Sequence, residues 1–225
     1  MSTSGHEPAC QKARILIVDD HPIVRQGLAA LINQQADLEV CGHAAGGREA
    51  MAQIKALKPD LITIDITLQD SGGLELMKNI KAQYPDLPML VISMHDEALY
   101  AERVLRAGAR GYIMKHVATE YVVEAIHKVL SGQIYVSDSM AEQMVRALVT
   151  GGPKGLGASV SSLSDRELEV FRLIGQGYST RKIAEMLHLS IKTIETYRAH
   201  IKDKLGLQDA AQLLQYAVQW VNTEA

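Results

Sequence analysis

Five short runs rich in aliphatic and β-branched residues, at 14–18, 38–44, 61–65, 89–92 and 111–114, alternate with amphipathic stretches at 23–34, 48–58, 74–83, 99–107 and 120–130. That alternation constrains the fold more than any other feature. Strands separated by about ten or more helical residues are joined by crossovers rather than hairpins, and so lie parallel. A parallel sheet is covered on both faces, and its strands read as unbroken apolar runs such as Ile15-Leu16-Ile17-Val18 and Leu61-Ile62-Thr63-Ile64. Five strands and five helices predict a doubly wound five-stranded parallel sheet, whose ligands sit outside the carboxyl ends of the strands. In the last of these helices Val123, Ile126, Val129 and Leu130 are expected on one buried face.

The pattern then changes. An amphipathic piece at 139–148 is followed by Thr150-Gly151-Gly152-Pro153-Lys154-Gly155-Leu156-Gly157-Ala158-Ser159, whose glycines and proline disfavour any regular element. Beyond it every periodic segment is helical. Ser164-Asp165-Arg166-Glu167 is a capping box opening a helix that Gly175 and Gly177 close. A short helix at 180–187, a longer one at 191–205 capped by Ser190, and a fourth at 209–221 complete a small all-α, four-helix domain. The expected organisation is an α/β domain at 13–132, a helical and Gly-rich linker at 133–160, and the helical domain at 161–225.

Composition excludes several classes. With 47% hydrophobic and 22% charged residues, the chain is far from the signature of disorder. Its longest apolar runs fall well short of the ~18 residues of a membrane span, so no membrane partner is expected. The polar opening residues lack the apolar stretch of a secretion signal, so a cytoplasmic protein is expected. Cys10 and Cys41 have neither a disulfide framework nor a zinc spacing and read as free thiols. From Ser161 onward basic and acidic residues are equal in number, so the formal charge of −3 belongs to the preceding part. Neither part is strongly basic.

Asp19 and Asp20 follow the first strand and Asp65 follows the third. In a parallel sheet these ends point the same way, so the three carboxylates meet at one edge, where their repulsion calls for a hard cation such as Mg²⁺. Ser93, directly after the fourth strand, and Lys115, just after the fifth, bring a hydroxyl and an ammonium to the same edge. Phosphoryl transfer to a carboxylate relies on positioning and on neutralising charge on phosphoryl oxygens, and these are the groups it requires. Asp65, the single acid on the central strand, is the best nucleophile, and Asp19 with Asp20 suit the metal. Each residue alone has an ordinary explanation: Asp20 before His21-Pro22 suits a helix N-cap, Asp65 a strand-terminal acid, Lys115 a solvated surface residue. Their coincidence at the ends of four strands does not.

In the helix at 191–205, Ile194, Tyr197, Ile201 and Leu205 recur at helical spacing and are expected to face the core. The other face carries Lys192, Thr196, Ala199 and Asp203, flanked by Thr193, Glu195, His200 and Lys202. With the preceding short helix and the turn Leu187-His188-Leu189-Ser190 it forms a helix-turn-helix pattern, whose second helix enters the major groove of double-stranded DNA. A polar helix face is also the ordinary appearance of a solvated helix.

Two resemblances bear on these alternatives. Residues 14–131 resemble the receiver domain of two-component response regulators, through Val18-Asp19-Asp20-His21-Pro22, Asp65, Ser93, and Gly108-Ala109-Arg110-Gly111-Tyr112 leading to Lys115. Residues 161–221 resemble the LuxR-type helix-turn-helix, through Leu163-Ser164-Asp165-Arg166-Glu167-Leu168-Glu169-Val170, Gly175-Gln176-Gly177, Lys182-Ile183-Ala184, Lys192-Thr193-Ile194 and Lys204-Leu205-Gly206-Leu207. Together they indicate the NarL/FixJ subfamily. The resemblance implies a flavodoxin-like receiver fold, Asp65 as phosphoacceptor, Asp19, Asp20 and the Thr67 carbonyl as Mg²⁺ ligands beside Asp65, Ser93 and Tyr112 as switch residues and Lys115 as phosphate contact. It implies a sensor histidine kinase as phosphoryl donor, promoter DNA as target, RNA polymerase as a further partner, and a homodimer on activation. By position on the helix, Lys192, Glu195, Thr196 and Ala199 face base edges, and Thr193, Arg198, His200, Lys202 and Lys204 face phosphates.

The chain departs from the family pattern at Leu68-Gln69, where Met-Pro is usual, at Gly72, where an Asp or Asn is usual, and at His116, where many members have an acid. Two other readings compete with a transcription regulator. An aspartate-nucleophile phosphatase of the haloacid-dehalogenase type would need a second Asp where Thr67 stands, and a DNA-binding protein independent of phosphorylation would have no use for the acid pocket.

Overall fold

The computed structural model of the chain describes residues 12–68, 72–150, 160–187 and 189–224. The glycine-rich stretch at 151–159, the N-terminal tail with Cys10, and Gln69 and His188 lie outside the described residues. By contacts the chain divides into two compact units, Met1–Met94 with Ala107–Tyr135, and His95–Arg106 with Val136–Ala225.

The first unit is built on a sheet of β1 (Ala13–Val18), β2 (Leu38–Ala44), β3 (Leu61–Ile64), β4 (Met89–Ser93) and β5 (Gly111–Met114). The strands are all parallel, in the order β2-β1-β3-β4-β5. All five expected strands are present in a doubly wound flavodoxin-like order. The helices in chain order are α1 (Pro22–Asn33), α2 (Gly47–Leu57), α3 (Gly73–Gln83), α4 (Glu97–Arg106) and α5 (Ala118–Leu130). By contacts α4 groups with the second unit, where the Ser137 N–H donates to the Glu97 carboxylate at 2.8 Å. It starts two residues before the expected 99, because the Asp96 carboxylate accepts from the Ala98 N–H (2.7 Å).

The sheet's inner residues, among them Ile15, Ile17, Leu61, Leu90 and Ile92, are buried against α1 and α5. The buried face of α5 is Ala118, Val122, Ala125, Ile126 and Val129; Val123 and Leu130 lie on its edge, packed against the core. All four expected residues thus lie on the core side, and the buried face is widened by Val122 and by two alanines too small to stand out in an apolar pattern. Cys41 is the unpaired residue of a bulge, since Ile15 pairs with Val40 but Leu16 with Gly42. It is a free thiol whose pKa burial pushes up.

Register places the edge that matters. Val18 pairs with Ile64, and the Asp65 N–H donates to the Val18 carbonyl at 2.9 Å, so the residues leaving β1 and β3 emerge side by side where the order of connections reverses. The start of α3 closes directly under this point. The Gly73 N–H donates to the Ile66 carbonyl (2.8 Å), and a Cβ on Gly73 would come within 2.4 Å of the Asp65 carbonyl oxygen.

The second unit continues with α6 (Asp138–Thr150), α7 (Asp165–Gly175), α8 (Thr180–Met186), α9 (Ile191–Leu205) and α10 (Ala210–Glu224). Ser164, Ser179 and Ser190 cap α7, α8 and α9, each accepting from the backbone N–H three residues on, and Ser164 with Glu167 completes the expected capping box. Phe171 at the centre of the helical core meets Tyr216 and Trp220 of α10, with ring centroids 5.8 and 5.4 Å away. Among the described residues no helix is long and apolar enough to cross a membrane.

Candidate functional site

Asp19, Asp65 and Ser93 are among the few buried polar residues of the described part of the chain, with Asp65 4% exposed. The Lys115 ammonium lies 2.7 Å from both the Asp65 and the Asp19 carboxylates, and its side chain is only 8% exposed. It is no solvated surface lysine. Nor is Asp20 the N-cap of α1: that position is His21, which makes no side-chain cap bond, with Pro22 opening the helix. The Thr67 N–H donates to the Asp65 carboxylate (3.2 Å), so the loop after β3 folds back over it. Tyr112 on β5 is fully buried. Burial pushes the Asp65 carboxyl above its ordinary range, a rise that the Lys115 charge and hydrogen bond oppose without cancelling. Burial likewise works against the Lys115 ammonium, but the Asp65 and Asp19 carboxylates overcome it and hold its pKa above the usual lysine value.

The residues fit a divalent cation. Asp19, Asp20, His21 and Asp65 each offer a ligand atom within 4.8 Å of the others. Asp20 Oδ1 is buried without a hydrogen-bond partner, an arrangement that is costly unless something positive occupies the site. Two residues that the sequence reading left out bear on the pocket. The His21 ring lies against both carboxylates of the acid pair, and the Arg25 guanidinium donates to the Asp19 carbonyl at 2.6 Å. His21 was legible as the neighbour of that pair; Arg25 was not, since only the turn into α1 brings it back over β1.

Beside the pocket is an apolar cleft of about 480 Å³, lined by Val24, Leu28 and Leu31 of α1, Ile92 and Met94 at the end of β4, and Lys115. Ile23 and Met94 are 76% and 66% exposed. Lys115 thus belongs to both the acid pocket and the cleft wall.

On α9, Ile194, Ile201 and Leu205 are buried as expected, while Tyr197 is only half-buried. Lys192, Glu195, Thr196, Ala199, His200, Asp203 and Lys204 are exposed, and Thr193, Arg198 and Lys202 intermediate. Of the side chains expected to face phosphates, Lys204 is paired within the module, its ammonium on Glu167 at 2.5 Å, and Arg198 is half-buried, which lowers its pKa from the usual value. Glu167 is 4% exposed and also accepts from the Ser164 N–H (2.7 Å) and hydroxyl (2.8 Å), with His200 Nδ1 3.8 Å away. Burial opposes ionisation of Glu167, but Lys204 and Ser164 outweigh it and hold the carboxyl below its ordinary range. The capping box was legible; the lysine 37 residues further on was not.

A parallel sheet in this order, with an acid pair, a strand-terminal aspartate and a lysine converging at its switch point, defines a receiver domain, and the helical unit supplies a helix-turn-helix. Residues 15–127 match the response regulator receiver domain, and residues 161–217 the bacterial regulatory proteins of the luxR family. The chain belongs to the response regulators of the NarL type, DNA-binding regulators rather than conventional enzymes. It is 36% identical over 210 residues to the oxygen regulatory protein NreC of Staphylococcus aureus, covering 92% of this chain and 97% of that protein. Its fold is similar to that of RcsB from Salmonella enterica serovar Typhimurium bound to a promoter in the presence of the phosphomimetic BeF3−. That match has a TM-score of 0.70 and 26% identity, over 92% of this chain and 98% of that one. It is also similar to a LuxR-family two-component response regulator from Aurantimonas sp. SI85-9A1, with a TM-score of 0.58 and 33% identity, over 62% of this chain and 99% of that one.

Proposed function

We propose that a sensor histidine kinase phosphorylates Asp65, and that the charged receiver dimerises and brings two copies of the helix-turn-helix onto promoter DNA. The observation that carries this reading is the buried Asp65 carboxylate, pinned by Lys115 and faced by Asp19. The phosphohistidine N–P bond breaks as an Asp65 O–P bond forms, and the imidazole stays with the kinase. Asp19, Asp20, Asp65 and the Thr67 carbonyl would hold Mg²⁺, which when bound neutralises charge on the phosphoryl oxygens. Lys115 stands ready to move from the carboxylates to the new phosphoryl group, and Ser93 is the hydroxyl donor on the neighbouring strand. The apolar cleft, sharing Lys115 with the pocket, suits the apolar face of a kinase helix that delivers the histidine.

Phosphorylation replaces one carboxylate charge by about −1.5 to −2. Moving an equilibrium from 1:99 to 99:1 takes about 5.5 kcal/mol. Two or three charge-assisted hydrogen bonds, at about 1.5 to 3 kcal/mol each, supply that much. Tyr112 is the aromatic through which the reading carries the change outward; its ring is already interior. The domain boundaries that go with this reading are a receiver at 13–132, a linker at 133–160 and a DNA-binding domain at 161–225. In the module, Lys192, Glu195, Thr196 and Ala199 meet base edges, and Thr193, Arg198, His200 and Lys202 meet phosphates; Lys204 does so only by leaving Glu167. RNA polymerase is a further partner, and the cytoplasm the site of action.

Incubation with acetyl phosphate and Mg²⁺, followed by intact mass and sedimentation, tests the whole reading. One stable phosphoryl group, absent from Asp65→Ala, and a shift to dimer are expected. Many turnovers would indicate a phosphatase instead, no uptake would leave the receiver a mere platform, and a loaded protein that stays monomeric yet binds DNA tightly would exclude the dimer mechanism.

A further inference from the structure

One group in the acid pocket has no part in the scheme above. His21 Nδ1 lies 2.7 Å from Asp20 Oδ1 and 3.3 Å from Asp19 Oδ1. The longer approach is within hydrogen-bond reach, and the shorter sets the ring against an oxygen, on a side chain 9% exposed, that has no hydrogen bond of its own. Both separations are those of neighbouring ligands around one ion. Adjacent ligands around an octahedral cation with bonds of about 2.0 to 2.1 Å are about 3 Å apart, and the two His21 distances bracket that edge.

We propose that His21 contributes a nitrogen ligand to the cation held by Asp19 and Asp20, so that this pocket prefers a divalent first-row transition cation to Mg²⁺. The proposal rests on the pocket's being a cation site. The imidazole is held in place by its own backbone: the His21 N–H donates to Asp19 Oδ1 (2.8 Å), and Pro22 fixes the chain as it enters α1. The ring is 59% exposed, so it covers the solvent side of the site, where a water would otherwise complete the coordination sphere. A neutral imidazole adds a strong donor without adding to the carboxylate repulsion. Mg²⁺ gains little from nitrogen and keeps oxygen ligands and waters, whereas Co²⁺, Ni²⁺ and their neighbours bind imidazole well and follow the general affinity order of the series. The acid pair therefore accepts either ion, and the histidine discriminates between them.

The test is titration of the tag-free, unphosphorylated full chain with Co²⁺, followed by its visible absorption, and with Mg²⁺, followed by calorimetry, in wild type, His21→Ala and Asp20→Asn. The Co²⁺ signal counted is the part lost in Asp20→Asn, which separates the pocket from other thiols and imidazoles of the chain. His21→Ala is expected to weaken Co²⁺ binding about tenfold or more, and to leave Mg²⁺ binding within a factor of two, which also shows that the variant is folded. Unchanged Co²⁺ affinity overturns the proposal, and so does a parallel loss for both ions, which would make His21 a positioning residue for Asp20. A wild type that binds Mg²⁺ while failing on His21 overturns only this inference; one that binds neither ion overturns the cation reading of the pocket as well.

Discussion

The receiver pocket and the helical module each contain a lysine seated on a buried carboxylate, and the two pairs behave oppositely. Lys115 is shared between Asp65 and Asp19, and the Asp65 carboxyl still sits above its ordinary range. Lys204 serves Glu167 alone, with two further donors from Ser164, and that carboxyl sits below its ordinary range. One ammonium divided between two carboxylates, with a third close by, leaves negative charge uncompensated. One ammonium and two hydrogen bonds on a single carboxylate leave none. The first arrangement is ready to exchange partners with an incoming cation or phosphoryl group, and the second is a clamp between the start of α7 and the last turn of α9.

The sharpest way to break the contrast is to delete each carboxylate and ask for chemistry. Asp65→Ala is expected to abolish phosphoryl uptake from acetyl phosphate, and Glu167→Ala to leave it at the wild-type level; phosphate-affinity gels read both. Next in size is the shared lysine. Lys115→Ala should still accept some phosphoryl group but lose its coupling to dimerisation, because a charge-assisted contact of about 1.5 to 3 kcal/mol is removed from the charged state. Sedimentation of the variant with beryllofluoride would show a monomer.

Stability should move in opposite directions. A carboxyl whose pKa is raised on folding detracts from stability once the pH exceeds its values in both states, so Asp65→Asn should stabilise the Mg²⁺-free protein at neutral pH. A carboxyl whose pKa is lowered adds stability above its unfolded value, about 4.3 for Glu, and loses it as the pH falls through the folded value. Glu167→Gln should therefore destabilise at neutral pH by roughly 1.5 to 3 kcal/mol, and the difference should close in acid. Urea midpoints measured across pH would show both signs.

The smallest effect separates two lysines on one helix. Lys202→Ala should reduce the salt slope of DNA binding by about 0.9 per copy. Lys204→Ala should weaken binding without changing the slope, because its charge is already matched by Glu167. A slope reduced equally in both would show that Lys204 leaves the clamp for a phosphate.

What the sequence disclosed follows the range of the interactions. Strand positions, the capping box and the start of α9 are written in residues that are near neighbours, and all are present. Convergence of Asp19, Asp65 and Lys115 was also legible, because parallel strands bring their ends to one edge whatever the intervening chain. The α5 stripe was legible in Val123, Ile126, Val129 and Leu130, but not the alanines beside them, which contribute to packing through smallness rather than hydrophobicity. The Glu167–Lys204 clamp and the Arg25 contact depend on how elements distant in sequence cross, and no local pattern records that.

Gly73 carries no chemistry, yet any side chain there would strike the backbone of Asp65. In a survey of tolerated substitutions it should therefore behave like an active residue. Glycine at this position fixes how near the third helix can dock, and with it the height at which the aspartate stands above the sheet. Clearance alone holds position 73 to glycine in this packing, a demand on the width of one gap in the wall that is separate from whatever signal or partner the molecule serves.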